Sequence, residues 1–131
     1  MQLANGNKEH KGIKVFTDLY AWQEGHKLVM EIYAITKLFP REEVFGLSSQ
    51  IRRSGISITS NLAEGFGRTS EKEKVQFYSI ARGSVTETQN QLLIAKGAGY
   101  ISEEKSNALW EQSIIVHKLV NGLIRKIKQT A

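Results

Sequence analysis

The stretch Gln50-Ile51-Arg52-Arg53-Ser54-Gly55-Ile56-Ser57-Ile58-Thr59-Ser60-Asn61-Leu62-Ala63-Glu64-Gly65-Phe66-Gly67-Arg68-Thr69-Ser70 decides how this chain folds. On an ideal helix Ile51, Ser54, Gly55, Ile58, Leu62 and Gly65 share one side, with Asn61 on its margin. Arg53, Ser57, Ser60 and Glu64 fall on the far side, while Ile56 and Ala63 lie off the core stripe beside Arg52. Gly65 and Gly67 can adopt positive φ, which suits a helix C-terminus. Ser70 followed by Glu73 fits a capping box that opens the next helix.

Outward from this stretch the periodicity stays helical. A first helix is expected from about Asp18, a fair N-cap, to Leu38, with Phe39-Pro40 ending it because the residue before proline avoids the α region. It carries two apolar strips. One holds Leu19, Trp22, His26, Val29, Met30 and Tyr33; the other holds Ala21, Leu28, Ile32, Ile35 and Phe39, with Gly25 beside it. Two strips imply either a helix deep between neighbours or one strip offered to another subunit. Pro40 to Gly46 links to the second helix, which runs from Leu47 or Ser48 to Ala63 or Glu64.

A third helix spans about Glu71 to Lys96, with Phe77, Ile80, Ala81, Ser84, Thr88, Gln91, Leu92 and Ala95 at helical spacing. Its small and hydroxylated inner residues permit close approach and need hydrogen-bond partners if buried. Gly97 and Gly99 close it, and Ser102 caps a fourth helix over about Glu103 to Lys128. The fourth helix's main stripe is Leu109, Ser113, Val116, Leu119, Val120, Leu123 and Ile127, with Trp110 and Ile114 projecting elsewhere. No segment has strand period. The expected fold is all-α, an antiparallel up-down-up-down four-helix bundle over residues 16–131 with a flexible arm over residues 1–15.

The 131 residues favour one domain, and the net charge of +5 tilts the partner expectation towards nucleic acid or another acidic surface. With no cysteine there is no disulfide framework and no thiolate metal site, which is compatible with a cytoplasmic setting. No apolar run approaches the roughly 20 residues of a membrane span, so no membrane partner is expected.

The pattern Trp22-Gln23, Tyr33, Phe39-Pro40, Glu43, Gly46-Leu47, Gln50-Ile51-Arg52-Arg53, Ser57-Ile58, Asn61-Leu62-Ala63-Glu64-Gly65, Gly67-Arg68, Phe77 and Ala81-Arg82-Gly83-Ser84 resembles one known family. This is the four-helix-bundle family of the 23S rRNA intervening sequence protein, also labelled the S23 ribosomal protein family. The likeness runs from about Phe16 to Lys128, and Gln50 to Arg68 is its specific part. The chain departs from the family pattern at Ser54-Gly55, where alanines are usual, and at Thr59-Ser60, where Pro-Ala is frequent. The resemblance implies a four-helix bundle, often assembled as a ring of five. A related branch, the accessory protein of diversity-generating retroelements, is a basic ring that binds nucleic acid and its partner reverse transcriptase.

Candidate nucleic-acid contacts are Arg52, Arg53, Arg68, Arg82, Lys118, Arg125, Lys126 and Lys128. Guanidinium forks match phosphate oxygens, yet the same arginines can instead pair with Glu43, Glu64 or Glu87 to hold helix ends and subunits. For Arg53 the structural alternative is a polar ladder with Ser57 and Glu64. The four cations of the last helix equally suit a solvated helix C-terminus, where the dipole favours positive charge. Candidate oligomer contacts are Leu28, Ile32, Ile35, Ile56, Trp110 and Ile114, which need cover beyond one stripe of core.

His26 shares a face with Trp22, Val29 and Tyr33 and reads as a hydrogen-bonded core histidine. Neither His26 nor His117 has the glutamate three residues before it that a di-iron bundle uses; Gln23 and Ile114 stand there. Gly65-Phe66-Gly67 lacks the third glycine and the preceding strand of a dinucleotide fingerprint. No nucleophile elbow is present. The reading is a non-catalytic, homo-oligomeric protein, without metal or cofactor, that binds RNA or DNA or assists ribonucleoprotein assembly. The alternative is a structural ring that binds a protein partner such as a reverse transcriptase.

Overall fold

The structure, a computed structural model, describes residues 12–130. Four helices follow one another: α1 (Tyr20–Thr36), α2 (Leu47–Phe66), α3 (Glu71–Gly97) and α4 (Glu103–Thr130), with short 3-10 turns at Phe16–Asp18 and Arg41–Glu43. There is no strand among the described residues. α1 packs on α2 and α4, and α3 packs on the same two, so the four antiparallel helices form a square bundle.

The core is made where the stripes meet. Leu28 and Ile32 of α1, Ile51, Ile58 and Leu62 of α2, Val85 and Leu92 of α3, and Val116 and Val120 of α4 have no exposed surface. Each such side chain contributes about 1.5–3 kcal/mol by leaving water. Leu28, Ile32 and Ile35 were expected at a subunit contact. They sit in the bundle's own core instead, because α1 lies between α2 and α4 and buries a wide apolar face. Ile80, expected inside, is exposed, and Val85 and Tyr78 take the inward places on α3.

Asp18 does not cap α1. Its Oδ2 accepts the backbone N–H groups of Lys14 and Val15 at 2.9 and 3.1 Å, closing the preceding turn, and Leu19 is the cap residue with no side-chain bond. Most of the expected arm over residues 1–15 lies outside the described residues; of the remainder, Ile13 lines a crevice with Leu19 and Leu123. α1 ends at Thr36, where the chain tightens into i→i+3 bonds ahead of Pro40.

The turn after Pro40 supplies the cap that Gly46 cannot. Glu43 Oε1 accepts the Leu47 N–H at 2.9 Å, and its Oε2 accepts the Tyr100 hydroxyl at 2.7 Å, tying together the two connections at this end of the bundle. The Leu47 bond, then the Tyr100 bond, lowers the Glu43 pKa from the ordinary 4.5. A lowered carboxyl pKa contributes stability above the ordinary value and loses it as pH falls through the native one. Thermal melts of wild type and Glu43→Gln should therefore differ at pH 7 and converge on acidification below about 4.5. An unchanged gap at pH 3 would show that the charge is not what the cap uses.

Ser70 and Ser102 cap as expected, each Oγ accepting a backbone N–H at 3.1 Å, from Glu73 and Lys105. The glycines divide the work differently from expectation. Neither Gly65 nor Gly67 has positive φ; Gly99 alone does among the described residues, at 80°. There the Tyr100 and Gly99 N–H groups return to the Ala95 and Lys96 carbonyls, a Schellman closure of α3. Gly65 serves close approach. A Cβ on it would stand 2.8 Å from Cε1 of Tyr78, whose burial pushes its hydroxyl up to about 12. Beyond Gly65, Lys74 Nζ donates to the Phe66 carbonyl at 2.6 Å and satisfies the end of α2.

The α2–α3 seam is polar, as the small and hydroxylated residues implied. Ser54 Oγ lies 2.8 Å from Thr88 Oγ1 and donates to Gln91 Oε1 at 2.7 Å, and Ser57 and Ser84 meet at 2.8 Å. On the α1–α4 side the Gln112 amide donates to the carbonyl and carboxylate oxygens of Glu24, both at 3.0 Å.

Candidate nucleic-acid interface

α3 and α4 run antiparallel, and two side-chain bonds fix their register: Gln89 Nε2 to Ser113 Oγ at 3.0 Å, and Arg82 Nη1 to Asn121 Oδ1 at 2.9 Å. That register brings Arg82 beside the last two turns of α4. Arg82, Asn121, Ile124, Arg125, Lys128 and Gln129 line a shallow concavity, and none of these lining side chains, among the described residues, is a carboxylate. Asn121 amide nitrogen also reaches His117 Nδ1 at 3.2 Å, so His117 holds the amide and the amide holds the arginine. Arg82 spends one N–H on Asn121, and the rest of its fork remains for an oxyanion. Arg125 and Lys128 are exposed and make no ion pair among the described residues. Their place at the C-terminal end of α4 suits cations whatever they bind, because the helix dipole is negative there.

The other sequence candidates lie elsewhere. Lys118 and Lys126 are on α4 too, but they line a separate crevice, between α4 and the segment around Ile13 and Leu19. Arg52 is structural: its Nε donates to Thr36 Oγ1 at 2.8 Å and its guanidinium lies 4.6 Å over the Tyr33 ring, joining α2 to α1. Arg68 is held by Glu64 at 2.8 Å and Glu73 at 4.0 Å, and it covers the Phe77 ring at 4.7 Å. Arg53 has no ladder. Ser57 turns to Ser84 and Asn61, Glu64 turns to Arg68, and Arg53 is left exposed with no ion pair among the described residues.

His26 is exposed, not a core histidine, and stacks on Trp22 with ring centroids 4.9 Å apart. Among the described residues no cluster of His, Asp or Glu could hold a metal ion, and no helix is long and apolar enough to cross a membrane. Asn121 was missed in the sequence. Its spacing of four residues from both His117 and Arg125 is the signal that places it in the cationic stripe.

Residues 17–122 match the family described as 23S rRNA-intervening sequence protein. Among solved structures the chain is similar to a protein with unknown function from the S23 ribosomal protein family of Bacteroides thetaiotaomicron. The two are 25% identical over 80% of this chain and 95% of that one, with a TM-score of 0.75. No curated protein matches the chain.

Proposed function

The chain belongs to the 23S rRNA-intervening sequence protein family, and on that premise we propose that it is a non-catalytic, self-associating protein of the cytoplasm that binds nucleic acid through phosphates. The carrying observation is the convergence of Arg82, Arg125 and Lys128, from two helices, on one concavity with no carboxylate side chain among its described lining residues. Guanidinium forks bind phosphate oxygens in pairs, and an ammonium adds a point charge. Contacts to phosphate oxygens position a strand without reading its bases, so affinity without strong sequence preference is expected. A ring of five copies, the number that the family resemblance implies, would present the cluster repeatedly and multiply weak contacts by avidity.

Fluorescence anisotropy with labelled RNA and DNA across a salt series tests this. Three phosphate contacts give a slope of log affinity against log salt of about −2 on single strands and about −3 on duplex DNA, per protomer. Failure to bind either nucleic acid at about 50 mM salt, where the phosphate contribution is strong, would end this reading. The scaffolding ring for a protein partner would then take its place, supported by the exposed Phe45 beside α2.

A further inference from the structure

Exposed apolar side chains occur on several faces, among them Ile80, Leu93 and Ile94 of α3, but two patches stand out because charges of opposite sign accompany them. The first lies on the α1–α2 side, where Val44, Phe45, Ser49, Arg52, Arg53 and Ile56 line an open groove. Phe45 is 97% exposed and Ile56 41%, and Arg53 stands among them with no ion pair among the described residues. The second occupies the first half of α4. There Ile115 is exposed, Trp110 and Ile114 are half-buried, and Glu104 and Glu111 are exposed with no ion pair among the described residues.

The two patches are opposite in charge and alike in layout. Arg53 and Ile56 are three residues apart, and so are Glu111 and Ile114, so each helix sets its charge one turn from an isoleucine. Exposed apolar area rimmed by charge marks a contact surface, and opposite potentials select which surfaces meet. The chain thus carries both halves of a complementary pair.

We propose that the α2 groove of one copy receives the first half of α4 of a second copy. Phe45 and Ile56 lie against Trp110, Ile114 and Ile115, and Arg53 faces Glu104 and Glu111. Groove and ridge are different surfaces on different sides of the bundle, so the contact is heterologous. Each added copy leaves one patch open until the ring closes. This inference rests on the self-association in the proposed function, but it uses none of Arg82, Arg125 and Lys128. Arg125 and Lys128 lie three turns or more beyond Ile114 along α4, outside the contact described.

Charge reversal tests the pairing, read by sedimentation velocity at micromolar protein with helicity checked by circular dichroism. Both positions are exposed, so the fold should survive either change. Arg53→Glu and Glu111→Arg should each weaken assembly at least about tenfold, because each sets like charges against one another. The double variant Arg53→Glu/Glu111→Arg should recover most of that loss, since the pair is re-formed with its signs exchanged. A monomeric wild type, single variants that assemble like wild type, or a double variant no better than the singles would each overturn the proposal. Nucleic-acid binding is not read in this experiment, so its failure and that of the phosphate cluster are separate results.

Discussion

Replacing Ser54 by valine is expected to lower the stability of the bundle by about 2–4 kcal/mol, with a fall in melting temperature on the order of 10 °C. Ser54 is 2% exposed and is the node of the α2–α3 seam. Its hydroxyl has one proton. That proton goes to Gln91 Oε1 at 2.7 Å, leaving the Ser54 oxygen to accept from Thr88, whose own proton otherwise goes to the Ser84 carbonyl at 2.9 Å. Valine fills the space with methyl groups and ends both bonds. The Gln91 oxygen is then buried without its donor, a cost of about 1–3 kcal/mol, and the extra methyl must be accommodated between two closely packed helices. The comparison with Gln91→Leu is informative. If the two residues act through their mutual bond, the double variant Ser54→Val/Gln91→Leu should cost less than the two single changes together, because no polar group is then stranded. Full additivity would show that the seam is held by packing alone.

The same position shows how much was legible in the chain. Ser54, Ser84, Thr88 and Gln91 fall on inward faces by helical spacing alone, so a buried polar seam followed from periodicity. The serine caps and the stop at Pro40 were equally readable, because each is a local backbone requirement met by a local residue. Partner choice was not. Arg53, Ser57 and Glu64 line up on one helix, but Ser57 found Ser84 on α3 and Glu64 found Arg68 past the helix end. The two strips on α1 had equal periodicity, and only the packing of α1 against both α2 and α4 makes Leu28, Ile32 and Ile35 core. His26 shares a strip with buried residues such as Val29 yet stays exposed, stacked on Trp22, because the edge of an apolar strip is wet. For the candidate site the cations were visible one by one. Their grouping depends on the antiparallel register that sets Arg82 beside Asn121, and no spacing within one helix encodes that.

Removing the cluster is expected to have the largest functional effect. Arg82→Ala/Arg125→Ala/Lys128→Ala should lower affinity for a labelled oligonucleotide on the order of 100-fold at about 50 mM salt and flatten the salt dependence by about 2 in slope on single strands. Arg82 is held by Asn121, so Asn121→Ala should reproduce part of the loss by freeing the guanidinium to sample other rotamers. The loss should not follow from charge alone. Lys27, Lys37 and Lys72 are exposed on other parts of the bundle, and replacing those three by alanine removes the same net charge without touching the concavity. Side-by-side titration of the two triple variants, both confirmed helical, therefore tests the central claim most directly. The phosphate-cluster account predicts a collapse of binding in the Arg82/Arg125/Lys128 variant and a change of no more than a few fold in the Lys27/Lys37/Lys72 variant. Equal losses in both, or retained binding in the cluster variant, would contradict it.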